Sequence, residues 1–199
     1  MLANRLHTTR VSLLAAAAIA ALLTLSGCAG ASAASDAPAA SDAPASSDSF
    51  NAADVAFAQM MIAHHEQAVE MSDEVLSKGD IDQDTVDLAT DIKAAQEPEI
   101  QKMESWLNAW GAEKTMAGMD HGTDGMMSED DLSRLEDATG SDAARLFLQQ
   151  MTIHHEGAIA MARTELQDGK NSKVKGLAED IVAAQEAEIQ VMTDLLAAG

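Results

Sequence analysis

Two adjacent histidines, His64 and His65, recur 90 residues later as His154 and His155, and each pair follows a methionine, Met61 or Met151. Imidazoles on neighbouring helices are what a metal site in a helical bundle needs, and a thioether beside them favours a soft ion. Imidazole with thioether suits Cu(I) or Ag(I). Imidazole with carboxylate alone suits iron, zinc or manganese. The carboxylates come from a second pair of matching segments, Ile92–Met103 and Ile181–Met192, 89 residues apart. Each holds a Gln-Glu-x-Glu run, so Gln96, Glu97 and Glu99 correspond to Gln185, Glu186 and Glu188.

Helical periodicity decides which of these groups face inward. In the first segment Val55, Ala58, Ile62, His65, Val69, Ser72 and Leu76 fall on one heptad stripe. Phe57, Met61, His64, Ala68, Met71 and Val75 fall on the next, so both histidines share the apolar face. Glu66 falls with Gln59, Glu70 and Asp73 on the polar side. In the partner segment the inward stripe is Ala89, Ile92, Gln96, Glu99, Met103, Trp106 and Trp110, which makes Glu99 the inward carboxylate and Glu97 a surface group. Glu188 follows in the second copy.

The unit is therefore a helical hairpin that occurs twice, with Gly79 and Gly169 in the turns, and two such hairpins predict an all-α four-helix bundle. Pro98 predicts a kink or a loosened turn in the second helix. The hairpins span residues 51–110 and 143–199. The connector, residues 111–142, predicts a short helix near Glu129–Ala138 capped by Ser128. It also carries Met116, Met119, His121, Met126 and Met127 among glycines. Met126 and Met127 are expected to pack on the bundle. Met116, Met119 and His121 are candidates for capturing copper.

An ionised carboxylate in an apolar core is costly unless it is paired or bound to metal. Four inward histidines and two inward glutamates thus point to a metal site. Glu99 and Glu188 would orient the imidazoles or bind the ion directly. Two other uses of the same residues stay open. One is a di-metal oxidase or ferroxidase. The other is a metal-free helical interaction module whose polar layer only sets helix register.

The N-terminal quarter is expected to serve export and anchoring. Arg5 and Arg10 precede an apolar run, Val11 to Leu25, too short for a confident membrane span, and Leu25-Ser26-Gly27-Cys28 resembles a lipobox. Residues 1–27 are expected to be a cleaved signal peptide and Cys28, the single cysteine, the lipidated residue. Residues 28–50, almost all Ala, Ser, Asp, Pro and Gly, are expected to be a disordered tether. The protein would then sit at the outer face of the cytoplasmic membrane or in the cell envelope, touching the bilayer only through its anchor, or be released from it. One thiol excludes a disulfide framework and cysteine metal clusters. The chain has 12 basic and 33 acidic side chains, and loss of Arg5 and Arg10 takes its net charge from −21 to −23. Such a charge repels nucleic acid. Neither a phosphate-binding glycine loop nor a nucleophile elbow is present, and the histidine spacing is not that of HExxH proteases.

The repeated M-I-x-H-H-E-x-A-x-x-M pattern is carried by Met61, Ile62, His64, His65, Glu66, Ala68 and Met71. The second copy carries it at Met151, His154, His155, Glu156, Ala158 and Met161, with Thr152 in place of the apolar residue. With the Q-E-x-E-I-x-x-M helix that follows, it resembles the bacterial secreted family known as domain of unknown function 305. The resemblance covers Asp54 to Leu196 and implies a ferritin-like bundle and a copper-binding or copper-resistance role. The histidines fall on the first helix of each pair and the glutamates on the second. This departs from the usual ferritin-like di-iron pattern and weakens a transfer of ferroxidase activity to this sequence.

Overall fold

The computed structural model describes residues 49–115 and 125–198. Five helices follow one another: α1 (Ala52–Ser77), α2 (Gln83–Trp110), α3 (Glu129–Asp137), α4 (Gly140–Asp168) and α5 (Ser172–Ala198). The first three starts have a local cause. Asn51 and Asp54 form a reciprocal capping box at α1, Asp82 accepts from the Thr85 amide at α2, and Ser128 and Asp131 form a second box at α3. Gly111, at φ 66°, ends α2 in the left-handed conformation. α2 runs unbroken through Pro98, whose missing amide falls on an exposed turn. α4 begins at Gly140, within the stretch assigned above to the connector.

α1 packs on α2 and α4 on α5, and the two hairpins join chiefly through α1 and α4. Their interior divides into two apolar clusters. One gathers Phe57, Met61 and Ile62 of α1, Met103 and Leu107 of α2, Ala158 and Ala162 of α4, and Leu177 and Ile181 of α5. The other gathers Met71 and Val75, Leu88 and Ile92, Phe147 and Met151, and Met192. Advancing along α1 therefore means retreating along α4, so these helices run antiparallel. Each fully buried Met, Leu or Phe contributes about 1.5–3 kcal/mol of apolar burial. His64, His65, Gln96, His154, His155 and Gln185 all lie between the two clusters in sequence along their helices and are buried. They form a polar layer at mid-height.

α3 lies across α1 and α4 at the second cluster. Leu135 is buried there, with Leu132 and Met127 packed beside it. Gln67 donates to the Met127 carbonyl (3.0 Å) and accepts from its amide (2.7 Å), and Gln150 donates to the Asp131 carbonyl (2.7 Å). The chain reaches α3 by crossing α4 at Gly125, where a Cβ would stand 2.7 Å from the Gly157 Cα. Gly125 also has φ +83°. Gly125→Ala should therefore cost roughly 2–4 kcal/mol, from backbone strain and forced displacement together. Denaturant unfolding of the metal-free protein would measure it. Residues Met116, Met119, His121 and Cys28 lie outside the described residues. Among the described residues no helix is long and apolar enough to cross a membrane.

Candidate metal centre

The layer is built of three linked pairs. Within the first hairpin the His65 Nε2 meets the Glu99 Oε2 at 2.8 Å, and within the second the His155 Nε2 meets the Glu188 Oε2 at 2.6 Å. Across the hairpins the His64 and His154 rings face each other, centroids 3.6 Å apart and planes tilted by 37°. The repeat thus gives the layer an approximate two-fold arrangement, with a His–Glu dyad on each flank and a His–His contact in the middle.

Each dyad fixes a tautomer. A carboxylate can only accept, so Nε2 donates, and in the neutral imidazole Nδ1 is then left with its lone pair. The Nδ1 atoms of His65 and His155 are buried and have no hydrogen-bond partner. Both ring nitrogens of His64 and of His154 are likewise buried and make no side-chain hydrogen bond, the His64 backbone being the polar group beside the His154 ring, and both amide atoms of Gln96 and the amide oxygen of Gln185 are buried and unpartnered. Burial pushes the His64 imidazole down to about 3, and the charges of His65 and His155 would oppose its protonation further. His154 is held well below the ordinary histidine range, again first by burial and then by its histidine neighbours. The central pair is thus neutral at physiological pH, with lone pairs available and nothing in the protein to receive them. An unsatisfied buried polar atom costs about 1–3 kcal/mol, so the layer is expensive as it stands.

The sequence placed Glu99 and Glu188 inward, and they are the dyad partners, while Glu66 and Glu156 are exposed. Met61 and Met151 are fully buried but belong to opposite apolar clusters, so they flank the layer from its two sides. Among the described residues no three His, Cys, Asp or Glu side chains converge closely enough to hold an ion by themselves. The available donors are thus imidazoles in pairs, with thioethers nearby. That set matches a soft ion of low coordination number better than a hard one that needs many oxygens.

Sequence reasoning passed over a second buried group. Asp54 and Glu165 are 0% and 1% exposed. Asp54 accepts from the backbone amides of Asn51 (2.6 Å), Lys170 (3.1 Å) and Asn171 (2.8 Å), tying the start of α1 to the α4–α5 turn. The Glu165 carboxyl receives no hydrogen bond. Burial and the adjacent Asp54 push it up to about 8. The only sequence signal was the departure from the repeat: Glu165 and Asp54 stand where the other copy has Val75 and Ala144.

The comparisons agree with this architecture. No curated protein matches the chain. A protein of the same domain from Streptomyces coelicolor, described as secreted, superposes with a TM-score of 0.69 at 36% identity, covering 76% of this chain and 93% of that one. A fragment from Deinococcus radiodurans superposes with a TM-score of 0.69 at 31% identity, covering 75% and 98%. CopM in its Cu(I)-bound form superposes with a TM-score of 0.60 at 29% identity, covering 71% and 94%, and CopM has also been solved with Cu(II) and with Ag. The domain of unknown function DUF305 matches residues 54–196, and the chain belongs to that family.

Proposed function

We propose that this protein is an exported, lipid-anchored copper-binding protein that buffers or sequesters Cu(I) outside the cytoplasmic membrane. The observation that carries the reading is the His64–His154 contact, in which four buried ring nitrogens have no partner. An ion bound between the rings would satisfy two of them. His65 and His155 offer Nδ1 from either flank, held in orientation by Glu99 and Glu188, and Met61 and Met151 are the soft partners. CopM, solved with Cu(I), Cu(II) and Ag, supports the choice of copper. Export rests on the signal-like N-terminus and on the relative described as secreted. Anchoring rests on Cys28.

The connector Met116–Met127 would capture the ion. Its flanks fit that role: the Glu113 carbonyl accepts from Gln59 of α1 (2.6 Å), and Gly125 rests on Gly157 of α4. These anchors stand on the two helices that supply His64 and His154.

Anaerobic titration with Cu(I) against a competing chelator tests the reading, with Cu(II), Fe(II) and Zn(II) in parallel. Tight Cu(I) binding is expected. Preference for Fe(II) with oxygen consumption would replace buffering by oxidase chemistry, and indifference to every metal would leave a helical interaction module. Glu99→Gln/Glu188→Gln should weaken Cu(I) binding by about 10–100-fold, the usual range for partners that orient a ligating histidine. Circular dichroism should show the fold intact.

A further inference from the structure

The four layer histidines are at most 1% exposed, so an ion needs a way in. The groove between α1 and α4 supplies one. At the second apolar cluster α3 fills this groove: it covers Met71, and Gln150 is tied to its backbone. The internal repeat maps Met71 onto Met161 and Gln150 onto Met60. No second α3 stands at that other end among the described residues. The groove there opens into a cavity of about 400 Å³, lined by Phe57, Met60, Met161, Thr164 and Glu165.

Three features set this cavity apart from ordinary apolar surface. Met60 and Met161 are half-buried on facing helices, whereas Met61, Met71, Met103, Met151 and Met192 are all fully enclosed in the core. The Glu165 carboxyl has no hydrogen-bond donor within reach and is 1% exposed, in a place where the other copy has a valine. Met60 lies one helical turn before His64, and Met161 lies two turns after His154, so the cavity adjoins the histidine layer along both helices.

We propose that Met60, Met161 and Glu165 form an outer site for a soft monovalent cation, Cu(I) or Ag(I), from which the ion passes to the buried histidines. Two thioethers give affinity for a soft ion, and Glu165, which holds its proton in the metal-free protein, adds a carboxylate ligand by releasing that proton as the ion binds. Transfer is ligand exchange: a bond from the ion to a thioether breaks as a bond to imidazole forms, with no change of oxidation state. Passage inward rests on the copper reading above. The outer site does not.

The test uses the intact protein with ¹³C-methyl-labelled methionine and Ag(I) as a redox-inert probe. The Met60 and Met161 methyl signals, assigned through Met60→Leu and Met161→Leu, should shift at substoichiometric Ag(I). Met60→Leu/Met161→Leu should bind one Ag(I) fewer, and Cu(I) should reach its histidine layer more slowly. His64→Leu/His154→Leu should keep the two methyl shifts. The outer site is overturned if Met60 and Met161 stay unmoved, or if their double variant binds as much Ag(I) as the parent. Failure of the histidine reading would look different, with Cu(I) affinity unchanged in His64→Leu/His154→Leu while the methyl shifts persist.

Discussion

His64→Leu/His154→Leu should make the metal-free protein more stable and, in the same molecule, weaken Cu(I) binding by at least about 100-fold. Leucine fills nearly the volume of histidine, so the substitution opens no large cavity. It also removes four buried nitrogens that have no partner, each costing about 1–3 kcal/mol. Against this stands some mismatch of shape where two rings now meet at 3.6 Å. The balance is a gain of roughly 2–4 kcal/mol, or about 5–15 °C in melting temperature for a domain of this size. Calorimetry in the presence of a chelator reads it directly. Adding Cu(I) at a thousandfold excess over the parent's Kd should then stabilise the parent by about 4 kcal/mol and raise its melting temperature, while the variant, bound at least about 100-fold more weakly, gains no more than about 1.4 kcal/mol. A drop in stability of the metal-free variant would mean that the histidines hold the bundle together, and the metal reading would lose its physical basis.

That expectation depends on details the sequence exposed unevenly. The heptad stripes separate Glu99 from Glu97, and the structure shows why this worked: a helix that buries Ile92 and Met103 must turn residue 99 toward α1, where it meets His65. Periodicity could not say which histidine takes the carboxylate. His64 and His65 both lie on the apolar face, and their roles diverge only because α2 stands on one side of α1 and α4 on the other. Leu107 was missed from the α2 stripe although it is fully buried, because the stripe drifts around the helix over seven turns and the Trp106–Trp110 row looked sufficient. The seat of α3 was equally hidden. It depends on Gln67 and Gln150, which read as surface amides until a backbone is laid across them.

The buried Asp54–Glu165 pair was the least visible feature, and it leads to the second large effect. An acid at the start of a helix reads as a capping group, which Asp54 is, and an acid near a helix end reads as surface. In the folded chain three backbone amides reach Asp54 and none reaches Glu165, so the pair is most stable when Glu165 keeps its proton and donates it toward Asp54. With its carboxyl raised from 4.5 to about 8, the folded state binds more protons than the unfolded state between those values. Stability from this pair is therefore fully present below about pH 4.5 and is lost as pH rises through about 8. His64 acts in the opposite direction. Lowered from 6.5 to about 3, it makes the folded state bind fewer protons, so stability falls as pH drops through that window. The metal-free protein should accordingly be most stable between these limits, around pH 5–7.

Glu165→Gln separates the two limbs. The amide keeps a donor for Asp54 and cannot ionise, so the acid limb should survive and the alkaline limb should vanish. The solvent-reachable cavity beside Glu165 reduces the full linkage value, leaving the variant roughly 3 kcal/mol more stable than the parent at pH 9, with the two nearly equal at pH 4. Denaturant unfolding across pH 4–9 would show curves that converge in acid and part in base. Parallel curves would mean that Glu165 titrates as an ordinary surface carboxylate and that its burial is relieved by water in the cavity.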